Sequence, residues 1–128
     1  MELKAMSMKF AEKGARSRIA FISFRKKSMT ISFSVNFFRK LQIENTDFVR
    51  IGYDKQKKIL RFIFLEKEKD QTTDYKLYYT AKPSSGMRGV YAGFLNSQFG
   101  LDIEKLEGRY LSDKFIKCRN KNIIDIKI

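Results

Sequence analysis

Met29, Ile31 and Phe33 alternate with Ser28, Thr30 and Ser32, the period of two that puts apolar side chains on one strand face and hydroxyls on the other. Just upstream, residues 18–24 (RIAFISF) are rich in β-formers and apolar on both faces, with Arg25, Lys26 and Lys27 between the two segments. A β-hairpin with a basic tip is predicted. Ser34 is placed to cap a short helix over 35–42, in which Val35, Phe38 and Leu41 recur near helical spacing while Arg39 and Lys40 face water. Residues 47–53 read as a strand and 54–58 as a turn. The next segment, 59–65 (ILRFIFL), reads as a strand apolar on both faces and therefore central.

Residues 66–73 are polar with a net charge of −1, a surface loop that divides the chain. Beyond it, 75–80 alternates aromatic and polar residues like a strand, and 82–86 is a loop by its proline, serines and glycine. Val90, Tyr91, Phe94, Leu95 and Gln98 at helical spacing, with Gly100 to end the run, predict a second helix over 89–99. Asp102 and Glu104 open a helical turn, where the helix dipole favours acidic groups. Residues 110–118 and 123–128 are the last strands, joined by a basic turn. The halves 28–65 and 74–128 then repeat one order: strand, helix, strand, basic turn, strand. The pattern predicts a single α+β domain over 1–128, mainly antiparallel sheet or barrel with two short helices and an internal pseudo-repeat.

Composition changes this picture in one direction. The 128 residues hold 27 Lys and Arg against 14 Asp and Glu, a net charge of +13, far beyond what solubility requires. With 43% hydrophobic residues, 12 Phe and 6 Tyr, the chain also has material for a packed core, unlike a basic tail. Phe21, Phe33, Phe38, Phe62, Phe64, Phe94 and Phe99 are assigned to that core. Charge is clustered: the first 27 residues carry eight basic and two acidic residues. Arg16, Arg18, Arg25, Lys26 and Lys27 form one group, Lys55, Lys57 and Lys58 a second, and Lys117, Arg119 and Lys121 a third. Cations gathered at turns suit phosphates, and a guanidinium grips two oxygens at once. Tyr53, Tyr78 and Tyr110, next to strand ends, are the candidates for base stacking. The expected partner is nucleic acid of undetermined type, either alone or within a nucleic-acid-processing protein complex. A membrane is not expected, since no long helix with one basic and one apolar face is predicted.

Catalytic chemistry finds little material. There is no histidine and one cysteine, Cys118, which removes Ser-His-Asp and Cys-His catalysis and Cys-rich zinc sites. Asp113 followed by Asp125-Ile126-Lys127 has the carboxylate order of a metal-dependent nuclease, but Asp-x-Lys arises readily in a lysine-rich chain. The expectation is no catalysis, no cofactor and no metal, in a reducing, cytoplasmic setting without an export signal.

Met29-Thr30-Ile31-Ser32-Phe33-Ser34-Val35, Leu41-Gln42-Ile43, Thr46-Asp47-Phe48-Val49 and the strand at 59–63 together resemble the AbrB/MazE swapped-hairpin motif. That motif reads as an Ile-x-Ile-Pro strand, a short helix ending in Leu-Gly-Ile/Leu, a Gly-Asp-x-Val strand, a turn and a strand. The resemblance covers 35 residues. Ser34 stands where the family has proline, and Thr46 where it has glycine. It implies a DNA-contacting basic loop near Arg25, Lys26 and Lys27, and a transcription regulator. In composition the chain resembles small basic accessory proteins of phages and mobile elements, including inhibitors of RNA-guided nucleases.

Overall fold

The structure, a computed structural model, describes residues 19–128. The hairpin is present: β1 (Phe21–Arg25) pairs antiparallel with β2 (Thr30–Phe33). Ile22, Phe24, Ile31 and Phe33 are completely buried, as the alternation requires. Ser34 then caps α1 (Val35–Lys40). Its Oγ accepts the N–H of Phe37 at 3.2 Å and of Phe21 at 3.0 Å, and donates to the carbonyl of Ile19 at 2.9 Å. One hydroxyl therefore ties the helix start to β1, a role no proline can fill.

α1 ends earlier than 42. Ile43 N–H reaches the Phe38 carbonyl at 2.9 Å and Gln42 N–H that of Arg39 at 3.1 Å, a Schellman turn with Gln42 in the left-handed position at φ 57°. Phe37 and Phe38 are its buried residues, while Val35 and Leu41 are half-buried. A short helix lying across the end of two sheets buries neighbouring side chains instead of a long stripe.

β3 (Phe48–Asp54) and β4 (Ile59–Leu65) form the next hairpin. β4 is central in a sheet ordered β5 (Asp74–Lys76), β3, β4, β10 (Ile123–Lys127), β9 (Phe115–Lys117), opposite a second sheet ordered β6 (Tyr78–Tyr79), β7 (Arg88–Tyr91), β2, β1, β8 (Gly108–Leu111). Every pairing is antiparallel. The architecture is α+β, mostly sheet, with two sheets in place of a closed barrel.

Two expected strands are each divided between the sheets. The segment 75–80 is β5 (Asp74–Lys76) in one sheet and β6 (Tyr78–Tyr79) in the other. At the corner Leu77 is buried, its N–H donating to the Asp47 carbonyl at 2.8 Å. The segment 110–118 is likewise β8 (Gly108–Leu111), a 3-10 turn at Ser112–Lys114 and β9 (Phe115–Lys117). Both corners join edge strands, so the chain stitches the sandwich along both sides. Alternation survives a corner because the backbone stays extended on either side of it.

The helix expected over 89–99 is the main correction. Its first part is a strand, β7 (Arg88–Tyr91), and only one turn of helix follows, α2 (Phe94–Ser97). A second single turn, α3 (Ile103–Leu106), is capped by Asp102, which accepts the Glu104 N–H at 3.0 Å. Val90 and Tyr91 fit a helical stripe, yet they lie on opposite faces of β7, 3% and 68% exposed. Gly89 permits this: a Cβ there would lie 1.9 Å from the Ile31 carbonyl oxygen of β2, so only glycine lets β7 lie this close. β10 (Ile123–Lys127) completes the sheet beside β4. Among the described residues no helix is long and apolar enough to cross a membrane.

Gly89→Ala should therefore cost several kcal/mol, on the order of ~3 or more, or prevent folding, because neighbouring backbone must move. Gly52→Ala in β3, whose Cβ would meet nothing within 4 Å, should stay within about 0.5 kcal/mol of the parent. Urea denaturation of both variants checks the contrast.

Candidate nucleic-acid interface

The expected basic groups do not converge. Arg16 and Arg18 lie outside the described residues. At the β1–β2 tip, Lys26 is committed to α3 and its flank: its Nζ sits 2.6 Å from Glu104 Oε2 and its N–H donates to Glu107 Oε1 at 3.2 Å. That contact holds the Lys26 amine above its ordinary pKa. Arg25 and Lys27 are exposed beside it. Lys55, Lys57 and Lys58 sit in the β3–β4 turn, where Asp54 Oδ1 accepts the N–H of Gln56 and of Lys57 at 3.1 Å. The register of β4 on β10 pairs Ile59 with Lys127 and Ile63 with Ile123. The β3–β4 turn and the β9–β10 turn with Lys117, Arg119 and Lys121 consequently lie at opposite ends of the sheet.

The β9–β10 end gathers charge from elsewhere in the chain. Lys117, Arg119 and Lys121 face Lys40, Leu41 and Gln42 across a cavity of about 270 Å³. A second cavity of about 420 Å³, sharing Gln42 and Lys121 with the first, is lined by Lys67 and Lys69 of the 66–73 loop. Six cations from three distant segments thus surround two adjoining hollows, with Glu66 the one acidic lining residue. None of the six takes part in the ion pairs found among the described residues. Lys40, Lys67 and Lys69 were not among the expected site residues. Only the folding of α1 and the loop beside the β9–β10 turn brings them there, and no local sequence signal marks it.

Four arginines outside the expected phosphate-binding groups, Arg50, Arg61, Arg88 and Arg109, hold the fold. Arg50 and Arg61 project from the outer face of the β3–β4 hairpin, each gripping one carboxylate with two nitrogens. Arg50 meets Asp74 at 2.7 and 3.2 Å, and Arg61 meets Asp125 at 2.8 and 2.9 Å. Asp74 Oδ2 also accepts the N–H groups of Lys69 and Asp70, each at 2.8 Å, anchoring the 66–73 loop. These bonds, the Arg50 pair foremost, hold the Asp74 carboxyl far below the usual range, and Arg61 lowers that of Asp125. Arg88 lies over the Phe38 ring at 4.3 Å and donates to the Thr46 carbonyl at 2.7 Å, while Arg109 covers Phe21 at 4.3 Å.

Asp125, the carboxylate of the Asp-x-Lys order, therefore has both oxygens on Arg61. Among the described residues no group of three His, Cys, Asp or Glu could hold a metal ion. Cys118 donates to Asp125 Oδ2 at 3.5 Å, and burial followed by that carboxylate raises its thiol pKa. Of the stacking candidates, Tyr53 leans on Phe99 at 5.8 Å and Tyr110 on Phe24 at 5.2 Å, both only partly exposed. Burial raises the Tyr110 pKa. Tyr78 is 62% exposed, and Tyr91, assigned to a helix by spacing, is exposed beside it. No protein-family model matches the chain, and no curated protein or solved structure is significantly similar to it.

Three depressed carboxyls, those of Asp74, Asp125 and the exposed Asp70, shape the response to acid. A folded pKa below the unfolded value, about 3.9 for Asp, adds stability that is fully present above that value and is lost as pH falls through it toward the folded pKa. Stability of the parent should decline below about pH 5. Asp74→Asn should be less stable at pH 7 yet decline less steeply on acidification, as read from denaturant midpoints between pH 7 and pH 3. A decline as steep as the parent's would dissociate Asp74 from the acid response.

Proposed function

We propose that this is a non-catalytic nucleic-acid-binding protein that holds a phosphate backbone at the cationic end formed by α1, the 66–73 loop and the β9–β10 turn. The observation that carries this reading is the convergence of Lys40, Lys67, Lys69, Lys117, Arg119 and Lys121 from three separate segments onto two adjoining cavities. Clustered like charges repel, and a polyanion seated among them offsets that repulsion. The net charge of +13 adds a long-range field that speeds encounter with such a partner. The cations are mostly lysines, suited to a backbone read as charge more than as sequence. The non-catalytic part of the reading draws on Asp125, whose oxygens are occupied by Arg61 and so are not free to bind a metal.

The test is a salt titration of DNA and RNA affinity. On duplex DNA each phosphate contact contributes about −0.9 to the log–log slope. Replacing Lys40, Lys117, Arg119 and Lys121 by Ala should reduce the slope by up to about 3.6 units, whereas replacing Lys55, Lys57, Lys58 and Lys127 at the other end should change it by less than about one. Both sets remove four charges, so equal losses would mean that net charge alone acts. A flat salt dependence in the parent would remove the phosphate-binding reading altogether.

A further inference from the structure

Along the β5–β6 corner the sandwich opens into a cleft of about 600 Å³ beside α2, within the ~300–1,000 Å³ typical of small-molecule sites in general. Its floor is a stacked pair, Tyr75 on Phe94, with centroids 5.2 Å apart and planes 23° apart. Tyr78 and Tyr91 stand at its mouth, 62% and 68% exposed. Tyr78 is opposite Gly89 in the β6–β7 register, which puts it on the same sheet face as Tyr91 with no side chain between them. The Tyr91 ring occupies space that Gly93 leaves vacant, since a Cβ on Gly93 would lie 2.5 Å from Tyr91 Cε2. Lys76 Nζ is 5.9 Å from the centre of the Tyr78 ring, and Ser97 and Gln98 supply hydrogen-bonding groups at the rim. Asp74 lines the cleft too, with its oxygens taken by Arg50, Lys69 and Asp70.

We infer that this cleft receives an unpaired nucleobase, so that the nucleic acid is single-stranded where it crosses the β5–β6 corner. The inference rests on the phosphate-binding reading above and specifies its substrate. Exposed aromatic faces stack on any base, and a neighbouring ammonium serves the adjoining phosphate. The two regions are linked through the 66–73 loop: Lys69 lines the cationic cavity, and its N–H bonds to Asp74, which lines the cleft. A backbone bound among the lysines is thereby carried to the tyrosines.

The experiment compares a 12-nucleotide mixed-sequence single strand, the same strand without bases, and the corresponding duplex, each titrated by fluorescence anisotropy against the full chain. Tyr78→Ala with Tyr91→Ala should weaken the single strand roughly 10- to 100-fold and the duplex less than about twofold, leaving the salt slope unchanged because no phosphate contact is removed. The Phe versions should retain the affinity. Gly93→Ala, which displaces the Tyr91 ring without deleting it, should give a partial loss. The base-free strand should bind the parent no better than the intact strand binds the double Ala variant. The chain has no tryptophan, so quenching of tyrosine fluorescence by the single strand gives an independent readout, expected to fall in the double Ala variant. Single-strand affinity unchanged in that variant, with a normal salt slope, overturns this inference alone, as does binding confined to the duplex. No salt-dependent binding to any of the three overturns both.

Discussion

Phe33 is the centre of the aromatic contacts between the two sheets, and the placing of α1 at the cationic end depends on it. Phe33, at the end of β2 in one sheet, meets Phe62 and Phe64 of β4 in the other at 5.5 and 5.1 Å, with planes 81° and 85° apart. It also meets Phe37 and Phe38 of α1 at 5.2 and 6.1 Å. Edge-to-face pairs of this kind add about 0.5–1.5 kcal/mol each beyond the area they bury. Because Ser34 begins α1 directly after Phe33, the contact that joins the sheets also fixes where the helix starts. Its other end, with Lys40 and Gln42, is thereby set against the β9–β10 turn. Phe37 extends the cluster to Phe115 of β9 at 5.5 Å.

How far this was legible depends on whether the deciding interaction is local. The β1–β2 hairpin, the cap at Ser34, the β3–β4 hairpin and the central place of β4 follow from alternation, one hydroxyl and a two-faced apolar run, all contained within a few residues. Six of the seven phenylalanines assigned to the core are buried, Phe99 being half-exposed. What was not legible is set by distant partners. Gly89 reads as the start of the expected helix until β2 lies against it. Leu77 reads as one more strand position until the Asp47 carbonyl takes its N–H and the chain changes sheets. Tyr91 matched a helical stripe by coincidence of spacing, and a strand exposes it.

The same distinction separates the charges. Counting could not show that four arginines spend their guanidinium groups on Asp74, Asp125, a backbone carbonyl and a phenylalanine ring, because each partner is at least 24 residues away in the chain. Nor could it show that Lys26, at the tip of the most basic hairpin, faces Glu104. The cations gathered where α1, the 66–73 loop and the β9–β10 turn meet are chiefly lysines, compact charges on flexible stems. Three turns looked equivalent in sequence; antiparallel pairing of β4 with β10 sends two of them to opposite ends.

Asp74 connects these observations. It is nearly inaccessible to solvent, and its two oxygens fix Arg50 on β3 and the backbone of Lys69 and Asp70 in the preceding loop. The loop brings Lys67 and Lys69 to the cationic cavities. The strand that starts at Asp74 carries Tyr75 inward to stack on Phe94, turns at Leu77, and delivers Tyr78 to the surface of the other sheet. A buried carboxylate stripped of one partner would be left less well satisfied, so the loop, the corner and the β3–β4 hairpin share one anchor. The spacing between the lysines of the loop and the tyrosines beyond the corner is consequently a property of the fold.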